Sequence, residues 1–243
     1  MSRKARSFII GEGNYYHVYS RFSCHRYLLR NRAGKKIFLQ LLSRYCKKYN
    51  VLIHGYCLMD NHFHILCSIG EGGNLSKAFG KVKELYSRWY HARNEKSDGP
   101  LWKERFRSSL IEDDYSALNV LRYIENNPVR AKLSSVPWDY TFSSNRFYIM
   151  DKYDSILTPL PSLMGLSTNS RKRKEIYLSF FDLKKDDSKK LTNYPWFHSP
   201  FLGSETFIEK KLYWLKEKIC QRLRWKKNCV SGYFFGLHPN GAA

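Results

Sequence analysis

Residues 57–66 read CLMDNHFHIL. Two apolar runs flank Asp60 and Asn61, a pair that favours a hairpin-like turn. The stretch therefore reads as strand, turn, strand: NVLIHGYCLM (50–59) and HFHILCSI (62–69), paired antiparallel. Side chains alternate faces along a strand. His62, His64 and Leu66 then point one way, and Phe63, Ile65 and Cys67 the other. Two imidazoles on one strand face can bind a single metal ion. A hydrogen-bonded pair of sheet histidines is the structural alternative.

The rest of the domain builds outward from this hairpin. NYYHVYSRF (14–22) is rich in aromatic and β-branched residues and predicts a strand. Before the hairpin, Ile37, Phe38, Leu41, Leu42, Tyr45 and Cys46 recur at helical spacing. After it, Leu75, Ala78, Phe79, Val82, Leu85, Tyr86 and Trp89 mark the buried stripe of a second helix. A loop, EKSDGPLWKERFR, leads to a strand at 108–112. Asp113 or Asp114 then caps a helix that Pro128 stops. The order β-α-β-β-α-β followed by a helix predicts a ferredoxin-like α+β sandwich: an antiparallel sheet with helices on one face.

Composition changes near residue 150. LTPLPSLMGLSTNSRKRK has linker character. The expected division is a domain at 1–150, a linker at 151–175 and a small basic helical appendage at 176–243. Ser204 is placed to cap the appendage helix. The RKRK run (171–174) reads as a solvated part of the linker.

The chain has 243 residues, 43% of them apolar, enough for a sizeable core. Lys and Arg number 42 against 21 acidic residues, a formal charge of +21 with a pI near 9.7. Such an excess points to a polyanionic partner, nucleic acid first. No segment reads as a membrane span or a signal peptide, so no membrane association and a cytoplasmic location are expected. The six cysteines, Cys24, Cys46, Cys57, Cys67, Cys220 and Cys229, form no C-x-x-C pair and read as reduced thiols.

A second constellation lies in LRYIENNPVRA (121–131). Tyr123 and Asn127 are i, i+4 on a helix face. They read either as a core aromatic and a helix C-cap or as site residues. Joined to the histidines, they suggest a chemistry. Two imidazoles and an amide oxygen hold a divalent metal, and a tyrosine beside it attacks phosphorus. A free tyrosine, with a pKa near ~10, needs a nearby cation to favour its phenolate.

MDNHFHIL, LWKERFRSSLIEDDYSALNVLRYIENNPVRA and PWDYTFSS, in that order, resemble the REP-associated tyrosine transposases, a branch of the HUH single-tyrosine nucleases. The resemblance covers roughly residues 10–150. It implies an endonuclease and strand transferase on single-stranded DNA, at hairpin-forming repeats, dependent on Mg²⁺ or Mn²⁺. It assigns Tyr123 as nucleophile, through a 5′-phosphotyrosine link, with His62, His64 and Asn127 as metal ligands. Many relatives have MPNH where this chain has Asp60, which reads as a turn residue or a carboxylate near the metal. Trp102, Arg105, Arg107 and Arg130 are candidate DNA contacts, with Trp102 also readable as a core anchor. Monomer and homodimer both remain open, and so does action of Tyr123 on its own or a partner's histidines.

Two rival readings use the same residues. One is a hairpin-binding module of this fold that does not cut. The other is a structural zinc site drawn from His54, Cys57, His62, His64 and Cys67, which strand alternation disfavours. Tyr86 and Tyr90 are weaker nucleophile candidates, since Tyr86 lies on an apolar stripe.

Overall fold

The structure, a computed structural model, describes residues 8–23, 29–94, 99–181 and 199–234, and only the backbone over 222–234. Cys24 and the side chain of Cys229 lie outside the described residues. Four strands form the antiparallel heart of the sheet: β1 (Tyr15–Arg21), β2 (Val51–Leu58), β3 (His62–Ile69) and β4 (Arg107–Ile111). Their order is β2-β3-β1-β4, and a short β5 (Phe201–Leu202) joins β4 in parallel. The expected hairpin is present. Met59 N–H donates to the His62 carbonyl at 2.9 Å across the Asp60-Asn61 turn.

Helices α1 (Arg32–Lys48) and α2 (Leu75–His91) cover one face. Their stripes meet Tyr16, Val18, Phe63, Ile65 and Cys67 in the larger core. Asn31 caps α1 through Ala33 N–H, and Asn74 caps α2 through Lys77 N–H. Each supplies an acceptor to a helix-end donor that would otherwise lack one.

The α+β class and the ferredoxin-like core stand, with one refinement. Helix α3 (Asp114–Glu125) lies on the opposite face, over β2 and β3, with Leu66, Cys57 and Leu121 in a second core. The reason is alternation: apolar residues on the histidine face also need a cover. Gly55 permits this approach, because a Cβ there would collide with Leu121. Asp113 is the cap, its carboxylate accepting from Ser116 N–H at 2.7 Å. The helix ends at Glu125, and Asn127 opens a separate short turn, α4 (Asn127–Arg130), with Pro128 inside it.

Parts of residues 151–177 pack against the sheet and its second core. Thr158 N–H donates to Ile53 O at 2.7 Å, and Leu160, Leu163 and Tyr177 are buried in the second core. Three short helices build this layer: α5 (Asn145–Met150), α6 (Pro161–Met164) and α7 (Ser170–Ser179), the last containing the RKRK run. The appendage is tied in as well. Ser204 Oγ caps α8 (Glu205–Phe234), accepting from Phe207 N–H, and donates to Glu112 at 3.0 Å. Leu215 of α8 is buried against the larger core.

Candidate active site

The histidine face of the sheet and the end of α3 enclose a cavity of about 510 Å³. His62, His64, Tyr123, Asn127, Arg107 and Arg130 all line it, together with Tyr19, Arg21, Met59 and Lys103. Residues more than 60 positions apart are thus brought together by strand alternation on one side and helix packing on the other. Arg21, Lys103, Arg107 and Arg130 against Glu104 give the cavity a basic wall, suited to phosphate.

Each candidate ligand has one end held by the protein. His62 Nδ1 is 2.5 Å from Asn61 Oδ1, and His64 Nδ1 is 2.9 Å from His17 Nε2. A metal bound by these rings would use Nε2 of each. Asn127 donates its amide to the carbonyls of Tyr123 (2.8 Å) and Ile124 (3.2 Å), so its nitrogen caps α3. Its acceptor oxygen is the end that could meet a cation. The cap and ligand readings of Asn127 are therefore compatible. Two imidazole nitrogens and an amide oxygen suit Mn²⁺ or a similar divalent ion, so the residues present fit such a group.

Burial keeps these imidazoles neutral, as ligands must be. It pushes His62 down to about 4, with the Arg21 charge adding to it and Asp60 opposing. It pushes His17 down to about 3, and His64 well below its ordinary value, with His62 and His17 contributing. Asp60 does not enter the cavity lining. It forms an ion pair with buried Lys35 at 2.7 Å, and Lys35 also donates to Tyr140 Oη. Asp60 thus sits in the turn paired to Lys35, with its charge still felt at His62.

Tyr123 is 9% exposed, and its ring stands perpendicular to that of His64, with centroids 5.7 Å apart. Burial pushes its phenol up to about 12, while the Arg130 charge and hydrogen bonds from Asn127 and Arg130 pull it down. The Arg130 guanidinium lies 5.1 Å from the ring centroid.

The remaining candidates separate. Arg107 lines the cavity, pairs with Glu104 at 2.8 Å and reaches Tyr19 Oη at 3.4 Å. Arg105 is exposed on the preceding turn and does not line the cavity. Trp102 is a core anchor: its ring stacks on Phe22 at 4.2 Å, and its N–H donates to Ser87 Oγ at 3.0 Å. Tyr86 is fully buried in the larger core, across the sheet from the cavity. The zinc alternative fails geometrically. His54 spends its nitrogens on Thr158 O and Ser68 Oγ, and Cys57 and Cys67 lie in different cores.

Sequence reading missed His17, Tyr19 and Arg21. Period-two alternation along YYHVYSR puts Tyr15, His17, Tyr19 and Arg21 on one face, but nothing in that strand marked which face. It also missed Glu125, which lies at the end of α3 and accepts from Ser144 (2.5 Å), Asn145 (2.5 Å) and Tyr177 (2.8 Å).

Residues 12–127 match the family model described as "Transposase IS200 like". Over these residues the chain is similar to the IS200-like transposases. Among solved structures, a REP-associated tyrosine transposase bound to a REP hairpin aligns over 61% of this chain and 87% of its own, at 18% identity and a TM-score of 0.50. It has the same fold as the IS200-like domain here. A putative transposase from Deinococcus radiodurans covers 48% of this chain and 95% of its own, at 16% identity and a TM-score of 0.35. Comparison with curated proteins gives no match. Among the described residues, no helix is long and apolar enough to cross a membrane. The match over residues 12–127 supports a transposase-like nuclease.

Proposed function

We propose that the chain is a metal-dependent single-stranded DNA endonuclease and strand transferase that acts beside hairpin-forming repeats. The convergence of His62, His64, Tyr123 and Asn127 in one basic cavity carries this reading. A bound divalent ion would be held by His62 and His64 Nε2 and Asn127 Oδ1, and would supply Lewis-acid polarisation of a phosphate oxygen. Arg130 and Arg107 hold the phosphate, and Arg130 favours the Tyr123 phenolate. The Tyr123 oxygen forms a bond to phosphorus, and the bond from phosphorus to the 3′ oxygen breaks. The products are a 5′-phosphotyrosine and a 3′-OH, whose proton comes from solvent.

The hairpin preference draws on the solved relative, whose partner is a REP hairpin. A helix-borne nucleophile reaches an unpaired strand more readily than a duplex, so the scissile bond is placed in single-stranded DNA next to the stem. Incubation with a library of hairpin DNAs carrying single-stranded flanks, in Mn²⁺, should yield covalent protein–DNA adducts on denaturing gels. Tight hairpin binding with no adduct under any divalent ion would instead favour the non-cutting module.

A further inference from the structure

The His64 ring has a partner that the proposed chemistry has not used. His17 of β1 meets it in the sheet interior. Tyr19, two residues on, pairs with His64 in the antiparallel register, so His17 reaches His64 diagonally. The nitrogens are 2.9 Å apart, the ring planes differ by 18°, and both residues are only 3% exposed. Tyr19 stacks near both rings, with centroids 5.5 and 5.9 Å away. Such a pair is fixed in plane and cannot turn over without breaking buried contacts.

The tautomer follows from the partner. An imidazole that offers Nε2 to a metal carries its proton on Nδ1, and that N–H needs an acceptor. At His64, the atom beside Nδ1 is His17 Nε2. We propose that His17 is a positioning residue for the metal site, its Nε2 accepting from His64 Nδ1–H and so presenting His64 Nε2 to the ion. This rests on the metal reading above. A carboxylate in the same place would fix the same tautomer but would add negative charge and raise the ligand's basicity. A neutral histidine orients without that gain, so the site should bind Mn²⁺ reversibly rather than retain it through purification.

The test measures metal binding on the full-length protein, without DNA. His17→Phe keeps an aromatic ring and removes both nitrogens. His17→Gln returns an amide oxygen to the neighbourhood of Nε2. Electron paramagnetic resonance of free Mn²⁺ should show about 10- to 100-fold weaker binding in His17→Phe, the range for loss of an outer-shell partner, and recovery of most of it in His17→Gln. Nitrogen-15 NMR of the unmodified protein, loaded with diamagnetic Zn²⁺, should show His64 protonated on Nδ1. A folded His17→Phe that binds Mn²⁺ like the parent overturns the proposal, as does a proton on His64 Nε2. If His64→Ala also binds Mn²⁺ like the parent, the metal reading falls with it. If His64→Ala loses Mn²⁺ while His17→Phe does not, only the role of His17 falls.

Discussion

Tyr123 and His64 face each other within one chain, ring edge to ring face at 5.7 Å, because α3 packs on the β2–β3 hairpin that precedes it in sequence. In this arrangement the tyrosine and the histidines of one site come from the same chain. Tyr123→Phe and His64→Ala, each inactive alone, should therefore remain inactive when mixed. Recovery of adduct formation in the mixture would place the tyrosine of one subunit against the histidines of another.

The pH profile should follow the phenol. Burial raises Tyr123 to about 12, so at neutral pH only a small fraction is phenolate. Below that value the reactive fraction grows by about tenfold per pH unit. Single-turnover cleavage should thus accelerate steadily from pH 7 to 9 at saturating Mn²⁺. A rate that falls over this range would show that another group limits the reaction.

Arg130 offers a separate test of DNA contact. It lines the cavity beside the nucleophile, placed to hold phosphate. Arg130→Ala should weaken binding across DNA sequences alike and lower the slope of log K against log salt by about 1. The parent should lose affinity steeply between low and physiological salt. A salt-independent affinity would mean that the positive charge is not spent on the DNA backbone.

Glu125 and Tyr177 link the transposase domain to the segment beyond it. Burial raises the Glu125 carboxyl to about 7, while donors from Ser144, Asn145 and Tyr177 oppose the rise. Between about 4.5 and 7 the folded chain therefore binds more protons here than the unfolded chain, so this group's contribution to stability falls as pH rises. The melting temperature of the parent relative to Glu125→Gln should drop across that window. Tyr177→Phe should cost about 1.5–3 kcal/mol in urea unfolding, as loss of a hydrogen bond to a carboxylate does. An unchanged unfolding midpoint would show that this contact does not hold α3.

Much of the fold was legible because its signals are periodic. The hairpin followed from Asp60-Asn61 between two apolar runs, and α1 and α2 from stripes every three to four residues. The third helix was also legible, but its side of the sheet was not. That depends on which alternating strand face is left uncovered, and on Gly55 admitting Leu121. Residues 151–175 read as a linker because Pro, Gly and Ser dominate, yet Leu160 and Leu163 each fill a place in the second core. The site was half readable. His62, His64 and Tyr123 lie in recognisable motifs, whereas His17 gains its meaning only through register with a strand 47 positions away. Trp102 looked suited to stack a base because its loop is basic, but the neighbour that claims it, Phe22, belongs to a distant strand end.

Locating the covalent bond tests the central claim most directly. The adduct formed on a hairpin DNA in Mn²⁺ would be trimmed by nuclease, digested with protease and sequenced by mass spectrometry. The nucleotide should be on Tyr123, within the peptide containing YIENNPVR. Tyr123→Phe, which removes one oxygen and little volume, should bind the hairpin and form no adduct, while Tyr86→Phe and Tyr90→Phe continue to form it. A nucleotide on any other residue, or adduct formation by Tyr123→Phe at the parent's rate, would contradict the assignment.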